Sequence, residues 1–485
     1  MKGKVISAML CASMLATMLA GCSTTTTEEA GESTTGTEAA ASSSSTAELK
    51  GEGDKEINIL IYAQEHEKVV YQQLIDEFTQ AHKDEIKTVN FEVTTQDEYA
   101  TKMTAAMTAN DMPDIFYIGP ESVRSYVDNG YALALDDYVD QEAVDNLWPA
   151  IKSAYMYDGT NIGSGSLYCL PKDLSCFAFA YNKDLFDEAG LEYPDPENPY
   201  TYDEFLEVCK ALTKDTDGDG EIDQWGVANA NAFGFTPYVY GNGGHFLNED
   251  YTKVVIAEND AFKEAFQFYT DLTLTNQVTP SVEQDTALGG YQRWLDGQIG
   301  FYACGTWDVA AFMDDATFPY EWDLCGWPVG PSGDGKSTAW LGTVGFAVSA
   351  DTEYPELCAE LIQALSTDLE GQQALCGETT GKSLQIPNIM DYAQTTFKEK
   401  VADGTIPYAN NVDVIFGYIE GNDTYNGIFT ETTYTYNSEW WDIFLEGMPN
   451  VLTGNISVED YCNEVQPKMQ EALDNAIELQ NSATN

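Results

Sequence analysis

Ile57-Asn58-Ile59-Leu60-Ile61-Tyr62 is an apolar, β-branched run suited to a strand buried on both faces. Working outward, Val70, Leu74 and Phe78 recur on one helical face, and Phe91-Glu-Val93 reads as a second strand. Tyr99 to Ala109 then reads as a helix and Asp114-Ile-Phe-Tyr-Ile118 as a third strand. Strands alternating with helices imply βαβ units, a largely parallel sheet and the α/β class. Ligands of such open sheets collect beyond the carboxyl ends of the strands, so the residues just after Tyr62 and just after Ile118 are the first places to look. No internal repeat of solenoid period is apparent, which removes stacked-repeat folds.

The chain has 485 residues, enough for two lobes or domains. Its 22 Lys+Arg stand against 80 Asp+Glu, a formal charge of -58. Proteins that neutralise phosphate spread basic charge over their surface, so nucleic acid is excluded as a partner class. Anionic lipid is repelled for the same reason, and attachment to a membrane requires a covalent anchor. The aromatic content of 12% argues against wholesale disorder.

Residues 1–21 supply the basis for that anchor. Lys2 and Lys4 precede an apolar run from Val5 to Ala20 whose hydroxyl residues are Ser7, Ser13 and Thr17. This is the pattern of a signal peptide. It ends in Leu19-Ala20-Gly21-Cys22, which resembles the bacterial lipobox. That resemblance implies cleavage before Cys22 and its lipidation with palmitate-type acyl chains. From residue 22 to 55 the chain is dominated by Ser, Thr, Ala, Gly and Glu, the composition of a flexible tether.

Beyond Cys11 and Cys22, the body carries Cys169, Cys176, Cys209, Cys304, Cys325, Cys358, Cys376 and Cys462. This is too sparse for a disulfide framework. Cys169 and Cys176 are near enough to bridge, while buried thiols account for all eight equally well. His66, His82 and His245 lie far apart and no CxxC pair occurs, so a structural zinc site is not expected.

Several short strings, weak singly, occur in a telling order: Asp111-Met-Pro-Asp-Ile-Phe-Tyr117, Asn129-Gly-Tyr-Ala-Leu-Ala-Leu-Asp136, Leu167-Tyr-Cys-Leu-Pro171, Ala180-Tyr-Asn-Lys-Asp-Leu-Phe186 and Thr201-Tyr-Asp-Glu-Phe205. Leu295-Asp-Gly-Gln-Ile-Gly-Phe301 with Gly305-Thr-Trp307, then Leu452-Thr-Gly-Asn-Ile-Ser457, complete the series. Downstream of a lipobox, this pattern resembles the extracellular solute-binding proteins of carbohydrate ABC importers, the family 1, maltose-binding-protein-like group. The resemblance implies the two-lobed periplasmic-binding-protein-like (type II) fold, with a hinge and a sugar held between the lobes. Lobe one is expected over residues 56–173 plus 341–386 and lobe two over 174–340 plus 387–485. Crossings are expected near Ser175 to Tyr181 and near Trp340 to Gly345.

A pyranose presents C–H faces and a rim of hydroxyls, so its receptor needs aromatic platforms and bidentate polar groups. The resemblance places Trp307 as a stacking aromatic after a strand from Ile299 to Ala303. It places one of Trp440 and Trp441 as a second platform; adjacent helical residues point about 100° apart, so at most one faces the cleft, and Trp441 is preferred. Gln64 and Glu65 after the first strand, and Glu121 and Ser122 after the third, match positions of polar sugar contacts. Asp173 and Ser175 join them at the lobe crossing. Tyr238, with Phe235 and Tyr240 beside Gly241-Asn-Gly-Gly244, offers either further platforms or a core face. Relatives often place an acidic-basic pair where this chain has Glu121-Ser122. The expected cleft segments lack Lys and Arg, which favours a neutral mono- or oligosaccharide over a phosphorylated ligand.

Asp215-Thr-Asp217-Gly-Asp219-Gly-Glu221-Ile-Asp223 reproduces the first nine positions of an EF-hand-type loop, with oxygen ligands at alternate positions and glycine at the sharp turn. Gly226 stands where the bidentate glutamate belongs. The expectation is structural Ca2+ held by Asp215, Asp217, Asp219, Glu221 and Asp223, remote from substrate.

Two function classes remain. A receptor closes on sugar without turnover and, as a monomer, docks on permease subunits. A secreted glycosidase needs one suitably separated carboxylate pair. Abundant Asp and Glu do not establish a pair, and no nucleophile elbow, HExxH or complete P-loop is present. No enzymatic activity is expected.

Overall fold

The run around Ile59 is an inner strand in the computed structural model, which describes residues 49–228 and 232–483. The signal region 1–21, Cys22 and residues 23–48 of the tether lie outside the described residues. β1 (Lys55–Tyr62) is flanked by β2 (Ile86–Thr94) and β3 (Ile115–Ile118), both parallel to it. Between the strands, α1 (Glu65–Ala81) buries Val70, Leu74 and Phe78 together with Tyr71 and Ile75, so its apolar stripe faces the core. α2 (Gln96–Ala109) begins where the Thr95 side chain accepts the Glu98 amide and ends at Asn110, whose φ of 53° is left-handed.

A short antiparallel hairpin follows, β4 (Met156–Tyr157) with β5 (Ser166–Leu167), and then β6 (Cys169–Pro171). β7 (Ser175–Cys176) leads out of this lobe. The second lobe is built on β8 (Ala178–Asn182), β9 (Trp225–Val227), β10 (Ile299–Cys304) and β11 (Trp322–Cys325). β12 (Ser337–Gly342) returns the chain, and β13 (Gly345–Val348) inserts between β3 and β6 to complete the first sheet, order β2-β1-β3-β13-β6. β14 (Tyr425–Ile428) runs parallel to β12, which is antiparallel to β7. These three form a separate ribbon where the segments cross.

The largely parallel sheet expected from the opening strands holds for β1, β2 and β3 and fails beyond them. β13 is antiparallel to both β3 and β6, and in the second sheet, order β11-β8-β10-β9, the β10–β9 pair alone is parallel. Strands that return across the ribbon enter from the opposite direction, so their polarity is reversed. Within the ribbon β12 is the middle strand, with β7 on one side and β14 on the other. Residues just past the expected boundary at 386 stay with the first lobe. Trp148 Nε1 donates to Pro387 O at 2.8 Å, the Met390 amide donates to Asn146 O at 2.9 Å, and Asn388 Nδ2 donates to Pro171 O at 3.0 Å.

The second lobe has an aromatic core. Phe179 stacks on Trp327 with centroids 4.1 Å apart, and Phe205 and Phe301 lie within 5.5 Å of Phe179. Trp148, Trp294, Trp327 and Trp440 are all fully buried, and truncating any one to alanine costs about 3–5 kcal/mol. All eight cysteines of the body are buried free thiols, including Cys169 and Cys176. Among the described residues no helix is long and apolar enough to cross a membrane.

Candidate functional site

The carboxyl ends of β1 and β3 bring the two predicted polar pairs to one end of the first sheet. Gln64 precedes α1 and its amide donates to Glu67 Oε2 at 2.9 Å, while Gln64 and Glu65 present exposed side chains. Glu121 and Ser122 occupy a 3-10 turn, Pro120–Ser122, directly after β3. Glu121 is accessible to solvent, yet burial raises its carboxyl above the usual carboxylate range. Tyr62 closes β1, its ring centroid 5.3 Å from those of both Tyr99 and Tyr117. Burial raises its hydroxyl pKa, and the nearby Glu121 carboxylate raises it further.

Lys172 follows directly on β6. Its Nζ donates to Glu67 Oε1 at 2.7 Å and to Asp173 Oδ2 at 2.9 Å, with all three side chains buried. The expectation of a cleft without lysine is therefore corrected. This lysine is neutralised by two carboxylates and is not free for a phosphate. Asp173 and Ser175 are each 4% exposed, so they belong to the crossing's interior and not to an accessible rim.

Five residues beyond Lys172 the chain reaches an aromatic trio. Phe177 lies 5.1 Å from Trp307, edge to face, and 5.1 Å from Trp340. Trp307 sits in the turn Thr306–Asp308 after β10, and Trp340 on β12; both indoles are half-buried. Glycine is required beside each. A Cβ on Gly305 would meet the Trp307 indole at 2.5 Å, and one on Gly342 would meet the Trp340 indole at 1.9 Å. The trio offers flat apolar faces of the kind that meet the C–H faces of a sugar ring.

Other expected platforms are placed differently. Tyr238, 2% exposed, packs within 5.6 Å of Trp327 and Tyr269 in the second core. Phe235 and Tyr240 are also buried. Trp440 is 0% exposed, and its Nε1 donates to Thr435 Oγ1 at 3.0 Å. Tyr238 and Trp440 are thus corrected to core residues, because the helices bearing them turn those faces inward. Trp441, one position on, is half-buried, its ring centroid 4.6 Å from that of Phe246 in an edge-to-face contact.

A separate cavity of about 690 Å³ lies at the flank of the ribbon, where Ser153 and Ala154 of the first lobe approach Tyr240 and His245 of the second. Its wall holds the His245 Nδ1 and Glu431 Oε1 pair at 3.0 Å, and Glu431 Oε2 accepts the amides of Phe246 and Leu247.

In the acidic loop, Asp215, Asp217 and Asp223 bring one carboxylate oxygen each within 4.8 Å of one another. Asp219 and Glu221 fall outside that group. Asp215 accepts the amides of Gly218 at 2.6 Å and Gly220 at 2.8 Å, and these two bonds, Gly220 first, lower its carboxyl pKa. Three hard oxygens are the donor type that Ca2+ takes, although the set is smaller than the five-residue expectation.

The model of the bacterial extracellular solute-binding protein family matches residues 62–370, more than half of the chain. The chain belongs to this family. A diacetylchitobiose-binding protein of Streptomyces coelicolor is 26% identical to this solute-binding protein over 287 residues, 58% of this chain and 63% of the relative. The match thus spans less than two thirds of that relative. An erythritol/L-threitol-binding protein of Mycolicibacterium smegmatis is 22% identical over 401 residues, 77% of this chain and 79% of the relative. A solved ABC substrate-binding protein of Listeria monocytogenes, in complex with cycloalternan, shares the fold. Its TM-score is 0.72 at 21% identity, covering 87% of this chain and all of that one.

Sequence reasoning does not single out Trp340, Tyr62 or Lys172 in this solute-binding protein. Tyr62 closes the strand Ile57–Tyr62 and Trp340 opens an expected crossing, so their position was the available signal. Lys172 stands beside Asp173, and nothing local announces its second partner, Glu67, from a distant helix start.

Proposed function

We propose that this solute-binding protein is a cell-surface receptor that captures a neutral mono- or oligosaccharide between its lobes and delivers it unaltered to the permease subunits of an ABC importer. The observation that carries this reading is the packing of Phe177 against both Trp307 and Trp340, each at 5.1 Å, with both indoles half-buried. Trp307 and Trp340 serve as platforms, with Trp441 an outer one. Gln64, Glu65, Glu121 and Ser122 take the hydroxyl rim, and Asp173 and Ser175 support the crossing. The relatives' names, diacetylchitobiose-binding and erythritol/L-threitol-binding, point to uncharged ligands. Binding without catalysis accords with the family.

The anchor completes the proposal. Lipidated Cys22 holds a monomeric receptor at the outer face of the bacterial membrane, and the Ser/Thr-rich residues 23–48 let the body stand away from it; the expected tether ends short of residue 55, since Gly51 to Lys55 bond to residues 83–87 of the body. Ca2+ in the Asp215 loop is structural and does not touch the sugar.

A thermal-shift screen of the body against neutral mono- and oligosaccharides tests the reading, because ligand that binds the native state raises the melting temperature by mass action. A saccharide-specific shift that disappears in Trp307→Ala is expected. Steady release of cleaved sugar would instead establish a glycosidase.

A further inference from the structure

Arg124 and Arg293 are the two arginines of the chain, and the fold treats them oppositely. Arg293, 9% exposed, donates Nε to Leu288 O at 3.0 Å, Nη1 to Gln298 Oε1 at 3.2 Å and Nη2 to Gln284 O at 3.0 Å. Arg124, on the helix Val123–Asp128, is 8% exposed, yet its one hydrogen bond among the described residues is a long one, from Nη1 to Gln480 Oε1 at 3.5 Å. Its Nε is buried without a partner, and it forms no ion pair among the described residues. A guanidinium carries five N–H donors and is costly to bury unpaired, so the unused donors call for an acceptor that the chain does not supply. Arg124 lines a cavity of about 330 Å³ between the lobes. The first lobe contributes Arg124 and the turn 159–161, and the second contributes Tyr434, Tyr436 and, from the helix Val458–Ala483, Leu473, Ile477 and Gln480. Gln480 Nε2 donates to Thr160 O at 3.1 Å and so ties the two sides together. Phe177, Trp307 and Trp340 do not line this cavity.

We propose that this cavity is a second ligand site, separate from the aromatic trio, and that it takes a small organic monocarboxylate on Arg124. The planar fork of a guanidinium donates two parallel hydrogen bonds to a carboxylate, and Nε with one Nη supplies them. The tyrosine rings, Leu473 and Ile477 cover the organic remainder, and the volume suits a small molecule. Three carboxylates stand near: Asp250 in the wall, and Asp128 and Asp158 within Coulombic reach of Arg124. Each is engaged elsewhere. Asp128 Oδ2 accepts the Tyr157 hydroxyl at 3.2 Å, Asp158 Oδ1 accepts the amides of Thr160 and Asn161 at 2.9 and 2.7 Å, and Asp250 Oδ1 accepts the Thr252 hydroxyl at 2.6 Å. Their repulsion, added to a formal charge of -58, selects one negative charge over two and so disfavours phosphate. Walls from both lobes surround the occupant, which therefore favours the arrangement in which Arg124 meets Gln480. The site does not rest on the carbohydrate-receptor reading.

Isotope labelling of arginine Nε gives two N–H resonances in this chain, and Arg124→Lys identifies one by its loss, leaving Arg293 as an internal reference. Titration of the intact protein with acetate and with benzoate, at an ionic strength held constant with sodium chloride, is expected to move the Arg124 resonance to a plateau and leave that of Arg293 in place. Benzyl alcohol, which keeps the ring and lacks the carboxylate, is expected to move neither. In calorimetry, Arg124→Lys keeps the charge but loses the fork and is expected to bind benzoate about tenfold more weakly, while Arg124→Met does not bind it. An Arg124 resonance that neither acid moves, or that chloride or benzyl alcohol moves as far, overturns the proposal, as does full benzoate affinity in Arg124→Met. A stronger response to inorganic phosphate than to benzoate overturns the choice of a monocarboxylate. Should Arg124→Met fail to fold, the titration of the intact protein still decides.

Discussion

Lys172 Nζ and Glu67 Oε1 stand 2.7 Å apart, joining the strand that leads into the crossing to the helix start that presents Gln64. Burial alone would raise the Glu67 carboxyl, but Lys172 and the Gln64 amide outweigh it and hold the carboxyl below its ordinary range. Lys172→Met leaves Glu67 and Asp173 as buried carboxylates without their cation. A loss of about 3–5 kcal/mol is expected in denaturant unfolding. A depressed carboxylate contributes stability that is present above its unfolded pKa and lost as pH falls through its folded value. The intact protein should therefore lose more stability on acidification than Lys172→Met does.

His245 is raised above its ordinary range, first by its hydrogen bond to Glu431, with burial opposing. A raised histidine contributes stability below its unfolded pKa, and that contribution is lost as pH rises through the folded value. Because the imidazole side chain is 56% exposed, screening limits the contribution to under about 1 kcal/mol. The melting-temperature gap between intact protein and His245→Asn should shrink as pH rises from acid to alkaline. Glu431→Ala is more severe, since each abandoned amide of Phe246 and Leu247 costs about 1–3 kcal/mol.

Phe177 braces both half-buried indoles. Phe177→Leu keeps an apolar filler but loses two ring contacts worth about 0.5–1.5 kcal/mol each. Carbohydrate affinity should weaken by about tenfold or more in calorimetry, while cooperative unfolding is retained.

The free thiols give a direct check of burial. The body without residues 1–48 should be inert to a thiol reagent when native and should release eight equivalents in denaturant, as each cysteine is buried. Rapid labelling of the native body would contradict the packing.

Calcium in the Asp215 loop should raise the melting temperature. At ten times its Kd the added stability is about 1.4 kcal/mol. Chelator, or Asp215→Asn, should abolish the increment without altering carbohydrate binding.

The opening strands are legible because Ile59 to Ile61 and Ile115 to Ile118 are buried at every position and therefore read as continuous apolar runs. Trp307 and the Glu121 turn follow from position at strand ends. Tyr238 and Trp440 mislead because a tyrosine- or tryptophan-rich helix has the same composition whether its face meets solvent or core. The antiparallel entry of β13 and the pairing of Lys172 with Glu67 depend on contacts between remote segments, which periodicity does not encode.

The insertion of β13 between β3 and β6 has a consequence for biogenesis. As the polypeptide emerges from the translocon, β3 and β6 appear early and face each other across an unfilled slot until the intervening lobe has been exported. Folding of the amino-terminal half is thus timed by the arrival of Gly345 to Val348, and a nascent chain arrested before that point would expose adhesive strand edges to chaperones and proteases outside the cell.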